Sequence, residues 1–535
     1  MRQPTLSGPP VRPLPVCASI VQLGQRYLHG AALRCQTATT KSARRTLTIR
    51  SVTYTDKTLT AFAVESPDQS DEVLECPTLR DKLEPRPSPW VINNNLGGGF
   101  VSDEDKVALS SMKFASGSSA GATCVGAPAL DGENGTMDQV CVPLPAWGIR
   151  AGARETIYFN PADTNVAIVT CGGLCPGLND VVQGLVRKLE DYGVPDGNIL
   201  GIRYGYKGFY DRRHKPVVLT RKVVEGIQLA GGTILGTSRG GADIREIVKR
   251  IDMWAIDMLF VVGGNGGNAG AAAIQRECDK AGVTCSIISA PKSIDNDILL
   301  IDKCFGFDTA VEEAQRAIMA AKVESTSAYK GIGLVKLMGR QSGFITMQAS
   351  MASGVVDVCL IPEVPFALKG SKGLFAYVEK VLEERGHCVM CIAEGAGQDI
   401  LAAGSHHDTD LSGNPILKDV GPWMRGELKA HFKDADIKYI DPSYMIRSTP
   451  TISADRIYCK VLAHNAVHAA FAGYTGCTVG LVNTHYVYLP IPVVIQAPRK
   501  VDPKGKTWNR LRASIGMPNF VEEDIPAECR VYAPA

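Results

Sequence analysis

Short apolar segments that end in glycine alternate with helical patterns along most of this chain, starting at about Asn165. Residues 166–170 form a β-branched run that stops at a glycine and proline cluster, and residues 178–190 then place apolar side chains at helical spacing. Residues 258–262 repeat the pattern, because a glycine loop and then an alanine-rich helix over 269–280 follow them. This alternation favours an α/β fold with mostly parallel sheets. Ligands of such sheets bind at the carboxyl ends of the strands, where these glycines lie.

The alternation continues toward residue 490. Thr309-x-x-Glu312 has the spacing of a capping box, which predicts that a helix begins there and runs through Ala321. Short β-branched or apolar runs predict more strands. These strands are predicted at residues 333–336, 389–393 and 478–482.

The bulk composition is that of a globular protein. The chain has 535 residues, of which 45% are hydrophobic and 21% charged, and this is enough to bury a core. A net charge of +2 gives no electrostatic reason to bind nucleic acid or a membrane surface, and no apolar run reaches the roughly 20 residues that span a bilayer. The 16 cysteines are scattered and often lie in apolar runs, which predicts buried free thiols.

Both ends of the chain differ from its middle. The first 55 residues contain no acidic residue but seven arginines and many hydroxyl side chains, which is typical of an organelle transit peptide. A disordered tail is the alternative for residues 1–65. Residues 66–155 are polar and weakly periodic, which predicts an irregular N-terminal extension. Residues 491–535 are predicted to form a C-terminal extension.

Three glycine turns lie at or near predicted strand ends. They are the segments 171–177, 235–241 and 263–267, and the second carries Arg239. Glycines at such positions let backbone N–H groups approach an anion, and a following helix adds partial positive charge. No segment has the Walker spacing. A single turn of this kind is more often only a tight turn, but three of them favour a polyphosphate site.

The segment Pro291-Lys-Ser-Ile-Asp295-Asn-Asp297 follows a predicted buried strand and places two carboxylates two residues apart. In an extended backbone these side chains point the same way, so both can face one pocket. Phosphoryl transfer needs a carboxylate that accepts a hydroxyl proton and oxygens that hold a metal ion. An asparagine- and aspartate-rich turn is the alternative interpretation.

Three polar clusters lie further along the chain. Arg340 follows a predicted strand in a glycine turn, where its guanidinium can bind a phosphate in a bidentate manner. Glu394 follows another strand beside glycines, where a carboxylate can accept hydrogen bonds from sugar hydroxyls. Tyr444 and Arg447 supply a further hydroxyl and a further cation.

In this order, the motifs resemble those of the phosphofructokinase family over roughly residues 160–490, and are most similar to its plant and algal ATP-dependent branch. The resemblance implies two similar three-layer α/β/α domains with mostly parallel sheets and the active site between them. It implies a nucleotide-binding domain over residues 156–300 and a sugar-phosphate-binding domain over 301–490, with the chain returning to the first domain near 440–490. It also implies a glycolytic, allosteric kinase located in the plastid, with mitochondrion or cytoplasm as alternatives.

The resemblance assigns roles to individual residues. Asp295 is expected to be the general base that deprotonates the 1-hydroxyl of fructose 6-phosphate. Mg²⁺ is expected to bridge the phosphates of ATP, with Asn265 as its protein ligand. The residues implied to contact ATP are Gly172, Arg239, Gly240, Gly264, Asn265, Gly266 and Gly267. Those implied to contact fructose 6-phosphate are Ser293, Ile294, Asp295, Met338, Gly339, Arg340, Glu394, Tyr444, Met445, Ile446 and Arg447.

The sequence departs from the common family pattern at two positions that leave alternatives open. Asn265 stands where most members have a metal-binding aspartate, so a weakly active regulatory subunit is an alternative to a catalytic one. Gly266 resembles the ATP users, whereas Lys292 resembles the pyrophosphate users, so pyrophosphate is the alternative donor to ATP. The chain is expected to form a homo- or hetero-oligomer of related subunits, without a nucleic-acid or membrane partner.

Overall fold

The fold is taken from a computed structural model of the chain, in which Thr58–Ala535 forms one compact unit. The segment 1–65 predicted as a transit peptide or disordered tail, apart from the backbone of Ala61–Ala63, and parts of both predicted extensions lie outside the described residues. Two short strands are described by their backbone alone, at Ala61–Ala63 and Cys124–Gly126. The other described residues are 72–90, 99–109, 145–401 and 416–521.

Strands and helices alternate from residue 166 onward, as the sequence predicts. The strands are β1 Ala61–Ala63, β2 Val73–Leu74, β3 Arg86–Pro87, β4 Lys106–Ala108, β5 Cys124–Gly126, β6 Trp147–Arg150, β7 Thr156–Ile157, β8 Val166–Thr170, β9 Ile199–Ile202, β10 Val217–Val218, β11 Met258–Gly263, β12 Ser286–Pro291, β13 Gly331–Leu337, β14 Val358–Leu360, β15 His387–Ala393, β16 Asp436–Ile440, β17 Cys477–Val482 and β18 His485–Pro490. The α-helices are α1 Leu178–Tyr192, α2 Ile244–Met253, α3 Asn265–Ala281, α4 Phe307–Thr326, α5 Phe344–Ser353, α6 Leu374–Arg385, α7 Gln398–Leu401, α8 Val420–His431, α9 Ser443–Ser448, α10 Ser453–Phe471, α11 Ile491–Val494 and α12 Lys506–Ile515.

The larger sheet has the strand order β10-β9-β8-β11-β12-β17-β18-β6-β2, and β4 also pairs with β6. From β9 to β17 the strands are parallel. Thr170 of β8 pairs with Val262 of β11, which in turn pairs with Ala290 of β12. This register brings the carboxyl ends of the three strands, and the loops that follow them, to one edge of the sheet.

The smaller sheet has the order β14-β15-β13-β16, and all of its strands are parallel. Leu337 pairs with Ala393, so the loops after β13 and β15 begin side by side. After β16 the chain returns to the larger sheet, where β17 pairs with β12. The structure thus has two largely parallel sheets flanked by helices, while the exact limits of the two predicted domains stay a prediction.

Helix α4 begins at Phe307 and not at Thr309, so the capping-box prediction was wrong. Gly306, with φ of +81°, forms the N-cap instead. The backbone N–H and the hydroxyl of Thr309 both donate to Asp455 Oδ2, at 2.8 and 2.6 Å. This contact joins residues 146 positions apart, so no local pattern could have indicated it.

The described parts of the two predicted extensions contact the rest of this unit. In the N-terminal one, β2, β4 and β6 add to the edge of the larger sheet, and Asp103 binds Arg80 and Arg154. In the C-terminal one, Trp508 and Leu511 of α12 are buried. Every cysteine in the ranges 72–90, 145–401 and 416–521 is free and buried, which confirms the predicted thiols there. None of the helices in the described ranges combines the length and apolarity that crossing a membrane would need.

Candidate active site

Lys292 lies where the loops after β8, β11 and β12 meet. Its side chain is 7% exposed, and it forms no ion pair with a carboxylate in the described part of the chain. A β-carbon added to Gly172 would lie 3.7 Å from Lys292 Nζ, and one added to Gly264 would lie 3.9 Å from it. The ammonium group therefore sits between two glycine turns. A buried cation without an acidic partner needs an anion, and the backbone N–H groups of such turns suit a phosphate.

Only a glycine fits at position 264, because the backbone of Lys292 passes very close to it. A β-carbon there would come within 2.9 Å of the Lys292 carbonyl oxygen, while the Lys292 N–H donates to Gly263 O at 2.9 Å. Gly264 is also the N-cap of α3, and neither a side-chain cap nor an acidic residue occupies the first turn of that helix. Its free N–H groups and its dipole favour a negative charge at this end.

The first turn of α3 contains Asn265, Gly266 and Gly267. Gly266 is exposed, and a β-carbon added to it would meet nothing within 4 Å. Gly267 is buried, and its carbonyl oxygen accepts a hydrogen bond from Tyr206 Oη at 2.6 Å, which fixes the turn. The open space beside Gly266 can accommodate a bulky ligand.

Arg239 lies over the glycine turn that follows β8. A β-carbon added to Gly173 would lie 3.0 Å from Arg239 Nη2. Two hydrogen bonds hold the turns together, from Thr237 Oγ1 to Gly172 O at 2.7 Å and from Gly172 N to Ser238 O at 3.1 Å. Gly172 has φ of +89°, a conformation that favours glycine, and Gly240 has φ of +77°. Arg239 is exposed, so its guanidinium is available to a ligand that enters from solvent.

The loop after β12 is held by its own polar groups. Asn296 has φ of +57°, and its Oδ1 accepts from Cys304 N at 2.8 Å, which closes the loop. Ser293 donates to the carboxylate of Asp297, while the side chain of Ile294 is 9% exposed. Ile294 is therefore part of the packed interior on which the loop rests.

Asp295 and Asn265 each carry a buried side-chain oxygen, Oδ1 in both, without a hydrogen-bond partner in the described part of the chain. Burial, together with the charges of Asp297 and Glu394, raises the pKa of Asp295 to about 8, against the opposing charges of Lys292 and Arg340. Buried acceptors without partners are costly, and they mark a place where a metal ion or substrate hydrogen completes the site.

The oxygens of Asn265 and Asp297 fit a magnesium site. Mg²⁺ is commonly bound through only one or two protein oxygens together with substrate phosphates and water. The described residues contain no cluster of three or more acidic, histidine or cysteine side chains, so a fully protein-built cage is not present among them. Asn265 Oδ1 and the carboxylate of Asp297, 3.5 Å from the Asn265 amide nitrogen, are the groups placed to hold the ion.

The smaller sheet contributes the loops after β13 and β15. Gly339 has φ of +131°, and its carbonyl oxygen accepts from Gly395 N at 3.0 Å, which ties the two loops together. A β-carbon on Gly395 would lie 2.0 Å from Arg340 O, so only glycine fits there. Met338 is buried at the start of the first loop.

One hydrogen bond joins this region to the carboxylate loop. Ser342 Oγ donates to the carbonyl oxygen of Asp295 at 3.2 Å. Burial raises the pKa of Glu394, while the positive charges of Arg340, Lys336 and Arg447 lower it. The structure therefore gathers three cations around one carboxylate beside the Asp295 loop, an arrangement suited to a phosphorylated polyol.

Helix α9 presents its residues in different directions. Tyr444 and Met445 are 79% and 75% exposed, whereas the side chain of Ile446 is completely buried. The guanidinium of Arg447 lies 4.8 Å from the centre of the Tyr444 ring. Arg447 and Tyr444 can therefore reach a ligand with their side chains, while Ile446 anchors the helix in the core.

Sequence reasoning did not assign Lys336, which fixes the start of α9. Its Nζ lies 2.7 Å from Asp441 Oδ2 and 3.0 Å from Asp419 Oδ1. Asp441 in turn accepts from the N–H and the hydroxyl of Ser443, the first residue of the helix. A lysine inside a predicted strand was the available signal, because a charged side chain there needs partners.

Comparison with known proteins agrees with this geometry. A family model described as phosphofructokinase matches residues 165–470. The chain is 51% identical over 427 residues to ATP-dependent 6-phosphofructokinase 5, chloroplastic, of Arabidopsis thaliana, covering 79% of this chain and 76% of that protein. It is 50% identical over 381 residues to ATP-dependent 6-phosphofructokinase 1 of the same plant, covering 70% and 80%. The crystal structure of a pyrophosphate-dependent phosphofructokinase from Marinobacter aquaeolei shares the fold, with a TM-score of 0.56 and 18% identity over 66% of this chain and 91% of that chain.

Proposed function

The chain belongs to the phosphofructokinase family, and we propose that it transfers the γ-phosphoryl group of ATP to the 1-hydroxyl of fructose 6-phosphate. The product is fructose 1,6-bisphosphate, and the reaction belongs to glycolysis. The observation that carries the proposal is the buried Asp295, which has a carboxylate oxygen without a partner among the described residues and feels the charges of both Lys292 and Arg340.

The larger sheet is proposed to bind the nucleotide. The backbone of Gly172 and of Gly264 to Gly267 would contact the phosphates, helped by the N-terminus of α3. Lys292, buried between these turns, would hold the transferred phosphoryl group, and Arg239 with Gly240 would contact the more exposed part of ATP.

Asn265 and Asp297 would hold Mg²⁺ together with the ATP phosphates. When bound, the ion supplies positive charge that neutralises the phosphate oxygens. The amide of Asn265 contributes no negative charge, so the carboxylate of Asp297 becomes the main charged protein ligand.

Asp295 is proposed to be the general base. Its carboxylate accepts the proton of the sugar 1-hydroxyl, while a lone pair of that oxygen forms the bond to the γ-phosphorus. The bond from the γ-phosphorus to the bridging oxygen breaks, and ADP leaves with that electron pair. A pKa raised to about 8 by burial and neighbouring acids makes this carboxylate a stronger base than an ordinary aspartate.

The smaller sheet is proposed to bind the sugar phosphate. Arg340 and Arg447 would contact phosphate oxygens, and Glu394 would accept hydrogen bonds from sugar hydroxyls. Met338, Gly339 and the backbone of Ser293 and Ile294 would line the same pocket. In α9, the contacts would come from the side chains of Tyr444, Met445 and Arg447 and the backbone of Ile446.

ATP is favoured over pyrophosphate by the surroundings of Gly266. Nothing lies within 4 Å of a β-carbon built on this exposed residue, so space is open for the rest of a nucleotide beyond its terminal phosphates. A coupled assay on the purified chain with fructose 6-phosphate, Mg²⁺ and either ATP or pyrophosphate tests this choice. Turnover with ATP is expected, and faster turnover with pyrophosphate would reverse the assignment. Fructose 6-phosphate binding without turnover by either donor would instead establish a regulatory subunit.

A plastid location is part of the proposal. The acid-free, arginine-rich first 55 residues support it, as does the name of the relative called chloroplastic, although the second relative's name gives no location. Uptake and shortening of the full chain by isolated chloroplasts is the expected result. Processing by mitochondria alone, or no uptake by either organelle, would overturn it.

We also propose an oligomer of related subunits, which light scattering on the purified protein tests.

A further inference from the structure

We infer that Arg499 is a positioning residue that fixes the loop of Asp295 and Asp297 against the loop of Arg340. The C-terminal segment 496–501 would then be required for the geometry of the active site. The segment lies beyond residue 470, where the family match ends. The inference rests on the proposed function of Asp295 and Asp297 as groups of that site.

The chain that follows Asp297 has a conformation that it would not keep by itself. Asn296 and Leu300 both have positive φ, at 57° and 66°. Asparagine tolerates this left-handed conformation, but a leucine there is strained, and such strain persists only where the surroundings enforce it. Asn296 is held by its bond from Cys304 N, whereas the hydrogen bonds nearest Leu300 involve Arg499.

Arg499 holds both sides of the strained residue. Its backbone N–H donates to Asp297 O at 2.7 Å, which fixes the chain before Leu300. Its Nη1 donates to Ile301 O at 2.9 Å and to Asp302 O at 2.8 Å, which fixes the chain after it. One residue thus clamps the loop from 297 to 302 through three carbonyl oxygens.

The same segment also reaches the sugar-phosphate loop. The guanidinium of Arg499 lies 4.9 Å from the centre of the Phe344 ring, at the start of α5. Val501 N donates at 2.8 Å to Glu363 Oε1, and the Glu363 carboxylate also accepts from Gly343 N at 3.0 and 3.1 Å. Segment 496–501 therefore contacts the loop of Asp297 directly and is linked through the Glu363 carboxylate to Gly343, at the far end of the loop of Arg340.

The hydrogen-bond partners of Arg499 differ from those of an arginine held in an ion pair. In the part of the chain that the structure describes, it pairs with no carboxylate, and its hydrogen bonds go to backbone carbonyl oxygens. Burial lowers the pKa of Arg499 from its usual value, against smaller opposing effects of Cys304 and Asp302. Both side-chain hydrogen bonds come from Nη1 of a planar guanidinium whose face also lies near the Phe344 ring, and the flexible stem of a lysine would not hold its ammonium group in this fixed orientation.

The test compares Arg499→Met and Arg499→Lys in the full chain with Arg510→Met, an exposed arginine on α12. Methionine keeps much of the aliphatic bulk but removes the donors. Because small misplacements of reacting groups can cost about 100-fold in rate, Arg499→Met is expected to lower kcat by roughly 30- to 100-fold while the KM for ATP stays within about threefold. Arg499→Lys should fall between it and the wild type, and Arg510→Met should match the wild type.

Hydrogen exchange provides a readout that does not depend on activity. In Arg499→Met, amides in peptides covering 296–304 and 343–346 are expected to exchange faster, while the rest of the described chain is unchanged. Wild-type kcat together with wild-type exchange in those peptides would overturn the inference, as would a uniform increase in exchange across the protein. If the wild type itself has no turnover, the proposed function fails, and the exchange comparison still decides whether Arg499 holds the two loops.

Discussion

The side-chain amide of Asn265 lies 3.5 Å from the carboxylate of Asp297, measured from Nδ2 to Oδ2. This contact joins the loop after β11 to the loop after β12, and it turns the Asn265 Oδ1 atom away from Asp297 with no partner among the described residues. An aspartate at position 265 would place two carboxylates in that contact. The asparagine therefore avoids a like-charge repulsion, and as the proposed Mg²⁺ ligand it would contribute no negative charge.

Asn265→Asp should bind Mg²⁺ more tightly, because charge is added to the ligand set. We expect the free Mg²⁺ concentration at half-maximal rate to fall several-fold when initial rates are measured at fixed ATP. The same substitution at Asn509, an exposed residue of α12, is the control for added charge. An unchanged or higher Mg²⁺ requirement in Asn265→Asp would show that this side chain is not a ligand.

Asp295→Asn removes the proposed base but keeps the shape of the side chain. General-base catalysis contributes about 10²- to 10⁴-fold, so kcat should fall by that range while the KM values for both substrates change little. Steady-state kinetics with ATP and fructose 6-phosphate measure this. If kcat stayed within a few-fold of the wild type, another group would have to accept the proton.

Much of this fold and site follows from local patterns. The strand and helix alternation, the glycines at strand ends and the carboxylates of the 291–297 loop are all contained in short windows of sequence. The register that pairs Thr170 with Val262 and Val262 with Ala290 is not, because it depends on side chains far apart in the chain. Local sequence thus predicts which loops carry chemistry but not how they meet.

The residues that sequence reasoning missed share one property: each binds a partner that lies far away along the sequence. Lys336 binds Asp441 and Asp419, and Arg499 binds carbonyls almost 200 positions earlier. The wrong start of α4 has the same cause, since Thr309 binds Asp455 rather than its own helix. The directions of α9 side chains also depend on packing, because only the fold decides that Ile446 faces the core.

The pH dependence of kcat/KM should reveal the environment of Asp295. Burial and the charges of Asp297 and Glu394 raise its pKa to about 8, and the base must be deprotonated to act. The rate constant is therefore expected to rise with pH between about 6 and 8 and then level off, since kcat/KM reports groups of the free enzyme. Glu394→Gln removes one of the charges that raise this pKa, so its rising limb should move to lower pH. A limb that stays in place, or one that moves upward, would contradict this electrostatic coupling.

Lys292→Met should impair the chemical step more than binding. The ammonium group lies between the turns of Gly172 and Gly264, where it can stabilise charge on the transferred phosphoryl group. Removal of one preorganised donor of this kind costs about 10²- to 10³-fold in kcat. Lys249→Met, on the exposed face of α2, is the matched control. A large rise in the KM for ATP with unchanged kcat would mean that Lys292 contributes to ground-state binding only.

Lys336→Met should weaken fructose 6-phosphate binding although this lysine is proposed to touch no substrate. Its side chain is 12% exposed and bridges Asp441 and Asp419, and Asp441 accepts two hydrogen bonds from the first residue of α9. Without the ammonium group, the two carboxylates repel each other, and α9 loses the anchor that places Arg447 near Glu394. A loss of about 1.4 kcal/mol in binding free energy corresponds to tenfold in affinity, so we expect the KM for fructose 6-phosphate to rise about tenfold or more, with the KM for ATP unchanged.

Asp441→Asn should shift the same constant in the same direction, whereas Lys380→Met, which breaks only an exposed pair with Glu384, should shift neither. Equal increases in both KM values would instead indicate a general loss of structure. A displacement confined to α9 would weaken binding of the sugar phosphate and leave binding of the nucleotide unchanged.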